Sequence, residues 1–183
     1  MPEDESLMIG PVKGYTLQIG TLVSMLNYNR STIIGVTKGM TQQQLDFLID
    51  DHANSIGALL MHLAAVDKYY QVHCFEGRED FNAEEKKEWQ AGLELGDQGR
   101  KEIKGHDLAF YLDKLSTTRA KTLELLKKKD DKWLLSKDAA WSKEQPVNYY
   151  WEWFHVCEHE SNHRGQIAFL KSRLPGAKPA KSE

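Results

Sequence analysis

Between Pro11 and Pro146 the chain carries no proline. The whole interior therefore lacks the strongest helix breaker, and long helices are permitted throughout it. Apolar residues there recur at three- and four-residue steps, with no strict alternation of strand length, so the pattern is helical. A first amphipathic run reads from about residue 20 to 37 on Leu22, Val23, Leu26, Ile33 and Ile34, and Gly39 closes it. Thr41 with Gln44 three residues on has the form of a capping box for a short helix through Leu45, Phe47 and Leu48. A second long helix is predicted from Asn54 or Ser55 to about Cys74, ended by Gly77. The stretch from Glu76 to Gly105 is charged and punctuated by glycine, and reads as a surface connection with a short helix near Ala83 to Leu95. A third long helix follows from about Asp107 to Lys127, where the lysine run Lys127-Lys128-Lys129 reads as a helix end and solvated face. After a connection holding Trp133, Trp141 and Pro146, a fourth runs from about Asn148 to Arg173 and stops at Leu174-Pro175-Gly176. Four long helices make an all-α four-helix bundle with short extra helices in the connections. At 183 residues one domain is expected, with a core over about residues 16–174 and extended tails at both ends.

Charge and composition remove several function classes. A net charge of -3 and the absence of a basic patch beyond the lysine triplet give no footprint for nucleic acid. The longest charge-free stretch, Gly14 to Asn29, is interrupted by Gln18, Asn27 and Asn29, and mean hydropathy is -0.59, so no membrane span is expected. The acidic start Met1-Pro2-Glu3-Asp4-Glu5 is unlike a secretory signal, which leads to the expectation of a cytoplasmic protein. Two cysteines, Cys74 and Cys157, cannot make a disulfide framework. Seven histidines stand beside them, and imidazole is the place to look for chemistry. No internal repeat, GxGxxG or P-loop pattern is found.

The fourth helix carries His155, His159 and His163 at four-residue spacing. At about 100° per residue, with His163 set to zero, Val156 falls near +20°, Ile167 near +40°, Leu170 near -20° and His159 near -40°. His159 and His163 thus share the apolar face, while His155 lies at its edge near about -80°. Histidines four apart on a helix are often surface or hydrogen-bonded core residues, so the pair alone decides little. The second helix changes this, because His62 sits at the centre of its apolar stripe of Ser55, Leu59, Val66 and Tyr69. Three inward imidazoles from two helices favour a metal site in the bundle interior. His73 lies on the same stripe but about 16 Å further along the axis, too far to join the same ion. His52 and His106, near helix starts, need no special role.

His159-Glu160-Ser161-Asn162-His163 also matches H-E-x-x-H, in which the glutamate is the general base of a metalloprotease. No third ligand follows in the spacing such enzymes require and no substrate-aligning strand is evident, so a protease is not expected. Glu160, near about +60° on the wheel, reads either as a group beside the metal ligands or as a structural partner of Arg164, with the structural role favoured. Glu152, near about -20°, is a candidate polar residue of a pocket one helical segment away. Cys157 falls about 120° off the site face and reads as packing. Cys74, at a helix end, also reads as structural. The aromatics Tyr149, Tyr150, Trp151 and Trp153 could line a pocket, though such a stripe is more often core.

The run from Asn148 through Trp151-Glu152-Trp153-Phe154-His155 to His159-Glu160-Ser161-Asn162-His163-Arg164-Gly165-Gln166-Ile167, with Asn54 to Leu63, resembles the DinB-like (YfiT-like) superfamily of metal-dependent enzymes. The His-x-x-x-His-Arg-Gly-Gln ending is the most specific part. The resemblance covers nearly the whole chain, from the first long helix to Leu174. It implies a four-helix bundle whose zinc or nickel is held by one histidine of the second helix and two of the fourth, here His62, His159 and His163. His155 is not a ligand in that pattern. Characterised members are thiol S-transferases or isomerases using a low-molecular-weight thiol, which implies such a thiol as cosubstrate here.

Three neutral imidazoles leave a divalent ion with its charge and an open position, so it can activate a thiol or a water. The expected function is S-transfer from a low-molecular-weight thiol to a small electrophile. One alternative is a hydrolase in which water replaces the thiol. The other is a non-enzymatic, metal-stabilised module that uses an exposed apolar face to form a homodimer. His155, Glu152 and Glu160 complete the candidate residues around the site.

Overall fold

The computed structural model describes residues 7–141 and 145–177. The expected tail conformations at residues 1–6 and 178–183 lie outside them. Eight helices run in the described residues: α1 Leu17–Thr37, α2 Gln42–Asp46, α3 Ile56–Glu76, α4 Ala83–Glu94, α5 Gly96–Glu102, α6 Leu108–Leu126, α7 Asp131–Leu135 and α8 Tyr149–Ser172. Among the described residues no strand forms, and one isolated bridge joins Lys137 to Asn148. No helix among them is long and apolar enough to cross a membrane.

Local chemistry sets the helix ends. Ser55, Asp107 and Asn148 each accept a bond from the backbone N–H three residues on, satisfying a donor that the first turn leaves free. Thr41 and Gln44 form the expected capping box. Gly77 ends α3 in the left-handed conformation at φ 66°, which a residue without Cβ adopts freely. The short helix expected near residues 83–95 forms as α4, and at its end Leu95, with a positive φ of 57°, breaks the α-ladder before the unanticipated α5. The connection holding Trp133 contains the short α7, capped by Asp130.

The long helices α1, α3, α6 and α8 form the bundle, with α3 packed against α6, α8 and α4. Because α4 covers what would be its outer side, α3 is buried from Ile56 to Asp67 with no polar face. Two apolar clusters result. One gathers Leu60, Ala64, Tyr111, Leu115 and Ile167, and the other Ile19, Leu26, Leu126, Leu134 and Trp153.

Between these clusters lies a charged layer with one residue from each long helix. Arg30 of α1 pairs with Asp67 of α3 at 3.2 Å and with Glu160 of α8. Arg119 of α6 reaches the same two carboxylates at 2.8 and 3.1 Å. Burial alone would raise the Asp67 pKa, but the Arg119 and Arg30 guanidiniums overcome it and hold the carboxyl below its ordinary value. Asp67 also accepts from Thr122 at 2.7 Å, and Arg119 donates to the Leu26 carbonyl at 2.9 Å.

Candidate functional site

The second turn of α3 and the middle of α8 bring three imidazoles together. His62 Nε2 lies 3.3 Å from His159 Nε2, which lies 3.2 Å from His163 Nε2. The ring centroids of His62 and His163 are 4.8 Å apart, so all three rings surround one point. His62 and His163 are buried and His159 is half-buried.

Two of the rings are oriented from behind. His62 Nδ1–H donates to the Gly92 carbonyl at 2.9 Å, and His163 Nδ1–H donates to Gln166 Oε1 at the same distance. A ring that gives its Nδ1 proton to an acceptor presents Nε2 as a lone pair when neutral. Gly92 can reach His62 because it has no side chain: a Cβ there would meet Met61 Cγ at 3.0 Å and the Met61 carbonyl at 3.2 Å. Burial pushes the His62 pKa down to about 4 and that of His159 down to about 3, and it lowers His163. All three rings are therefore neutral near pH 7. Their Nε2 lone pairs converge with at most one proton among them, and His159 Nδ1 has no partner. A cation is the one species that satisfies three converging lone pairs, and the nitrogen-only donor set suits a divalent transition metal. His62, His159 and His163 form a group able to hold one.

The remaining sequence candidates are placed elsewhere. Glu160, 1% exposed, gives both carboxylate oxygens to Arg30 and Arg119, so the anticipated pairing with Arg164 is replaced by the charged layer. It points away from the imidazoles that flank it in sequence, and the H-E-x-x-H reading loses its base. His155 is partly exposed, stacks on Trp151 at 5.3 Å and meets Glu158 at 3.0 Å, with its ring centroid 5.6 Å from that of His159. Glu152 is fully buried, but beside Cys74 and His73 and not in a pocket at the imidazole trio. Cys157 is buried against Asn29, and Trp153 is core. His106 stacks on Phe110 at 3.8 Å.

Sequence reasoning missed the two anchors. Gly92 read only as punctuation, and Gln166 only as part of a motif, although its i,i+3 position from His163 contained the signal. It also missed a cavity of about 540 Å³ beside the trio, lined by Leu59, Phe169, Leu170, Asn54, Asn162 and Gln166 among others. Leu59 lies three residues before His62 and Gln166 three after His163, so this cavity opens one helical turn from the imidazoles. Its wall is largely apolar with a few amides, as small-molecule sites commonly are.

Comparison with known proteins gives one family. The model of the mycothiol-S-transferase family matches residues 21–176. A search of curated proteins found no match to the chain.

Proposed function

The chain belongs to the mycothiol-S-transferase family, within the DinB-like superfamily of metal-dependent enzymes, and from that premise we propose that it transfers a low-molecular-weight thiol to a small electrophile at His62, His159 and His163. The observation that carries the reading is the convergence of three neutral Nε2 atoms within 3.3 Å steps, with two of the rings locked from behind. A zinc or nickel ion held there would supply Lewis acidity that lowers the pKa of a coordinated thiol.

The protein's own residues do the rest. Gly92 and Gln166 fix the rings and their tautomers, so the donor atoms need not reorganise when the site is loaded. The surrounding burial keeps the imidazoles unprotonated across neutral pH, leaving the lone pairs available. The cavity beside Gln166 offers an apolar wall from Leu59, Phe169 and Leu170 for the carbon skeleton of the electrophile, and amides from Asn54 and Asn162 to orient polar groups. Neither cysteine serves as the nucleophile in this scheme: Cys157 is engaged with Asn29 and Cys74 with Glu152, and burial raises both thiol pKa values. The reacting sulfur arrives with the cosubstrate.

The test is turnover of an epoxide or chlorinated model electrophile by zinc- or nickel-loaded protein, with and without a low-molecular-weight thiol. Consumption that requires the thiol and yields the thioether is expected. Equal turnover without thiol would replace the transferase by a hydrolase, and no turnover with any thiol would leave the trio a structural module.

A further inference from the structure

We propose that the protein holds a second cation, bound by His73, Asp138 and Glu152 in a buried structural site distinct from the imidazole trio. His73 and Cys74 end α3, Glu152 begins α8, and Asp138 lies on the connection between α7 and α8. His73 Nε2 is 2.6 Å from Asp138 Oδ2 and 4.0 Å from Glu152 Oε2, and Cys74 Sγ donates to that same Glu152 oxygen at 2.8 Å. The two nitrogen-to-oxygen distances straddle the edge of roughly 3.3 Å expected for a tetrahedron of nitrogen and oxygen ligands at 2.0–2.1 Å. One ligand atom each from His73, Asp138 and Glu152 lies within 4.8 Å of the others.

Electrostatics favour a cation over the bare cluster. Two carboxylates are sealed in at 8% and 0% exposure, and among the described residues His73 is the only base in salt-bridge range of either. Burial of that much negative charge with one imidazole is unfavourable, and it pushes the Glu152 pKa up to about 7. Two buried atoms of the cluster, His73 Nδ1 and Glu152 Oε1, have no hydrogen-bond partner. A divalent ion would take the place of the proton between His73 Nε2 and Asp138, that proton would move to the unpartnered His73 Nδ1, and the ion's two charges would balance both carboxylates while Cys74 stays a thiol. A set of one imidazole nitrogen and two carboxylate oxygens is one that zinc accepts. Trp141 stands edge-on to the His73 ring at 5.4 Å and Tyr69 stacks on that ring at 6.0 Å, and His73, Asp138 and Glu152 are all buried. The ion would pin the connection through Asp138, whose backbone is already tied to Val147 at 3.1 Å, onto the ends of α3 and α8.

Removing the trio isolates the second site, because the cobalt(II) then taken up at one equivalent belongs to His73, Asp138 and Glu152. Metal-free protein carrying His62→Ala and His163→Ala is titrated with cobalt(II), so the result does not depend on the trio. One cobalt per chain, with its visible d–d absorption, is expected, and His73→Ala should weaken its binding at least tenfold while Cys157→Ser leaves it unchanged. Absence of stoichiometric uptake, or its survival unaltered in His73→Ala, overturns the proposal. If His73→Ala fails to fold by circular dichroism, Asp138→Asn takes its place: it should weaken cobalt binding at least tenfold, and unaltered binding would equally overturn the site.

Discussion

Glu160 lies between His159 and His163 in the chain, and Asp67 lies one and a half turns beyond His62 on α3, yet the carboxylates and the imidazoles belong to regions of opposite design. In the charged layer, two guanidiniums meet two carboxylates, and each side chain comes from a different long helix. Every charge has its complement, so no room or need remains for an ion. In the trio, three neutral donors face one another, and among the described residues no charged side chain is paired with them. A buried polar cluster that is complete serves the fold, whereas one that is incomplete in a single sign points to something the protein binds. The contrast also explains why the glutamate of His-Glu-x-x-His is no general base here: its helical position carries it to the four-helix layer.

Removing members of each region should separate the two roles. The largest effect is expected from His62→Ala or His163→Ala, which should abolish thiol-dependent turnover while urea denaturation of the metal-free forms shows the fold retained. The reverse outcome, activity kept and fold lost, would make the trio structural. Arg119→Met leaves two buried carboxylates with one guanidinium and should cost about 3–5 kcal/mol of stability, read from denaturation midpoints. A change near zero would mean that the layer does not hold the helices together. Gln166→Ala removes the acceptor behind His163 and should weaken metal binding by about 10–100-fold with little change in stability, measured by competition with a chelator.

A milder effect follows from protonation. The folded His62 and His159 pKa values, about 4 and about 3, lie below the ordinary 6.5. The unfolded chain therefore takes up protons first as the pH falls, and metal-free protein should lose stability from about pH 6.5 down towards 4. The urea midpoint at pH 5 should be lower than at pH 7, and His62→Ala should reduce that difference. A midpoint indifferent to the two histidines would show that they are not buried neutral. Smallest of all, Asn148→Ala removes the cap of α8 and should cost about 1 kcal/mol.

What could be read in advance was local. The four long helices follow from a proline-free interior and from capping residues that act within one turn, such as Ser55, Asp107 and Asn148. The convergence of His159, His163 and His62 follows from helical periodicity applied to two apolar stripes. Pairings across the bundle were not legible: nothing near Glu160 in sequence indicates Arg30, 130 residues away, or Arg119. The break at Leu95 depends on a backbone conformation unfavourable for leucine, which packing imposes and sequence does not announce. Gly92 escaped for a related reason, since its use lies in the close approach of α4 to α3 and not in a turn. Asp138 sits in a connection with no periodicity at all.

The central claim is that the trio holds a catalytic cation, and metal analysis by mass spectrometry on gently purified protein tests it most directly. Wild-type protein should contain one zinc or nickel ion per chain more than the His62→Ala, His163→Ala double variant, and chelation followed by re-addition should remove and restore thiol-dependent turnover. Equal metal content in the two proteins, together with no uptake of added zinc or nickel by the trio, would contradict it.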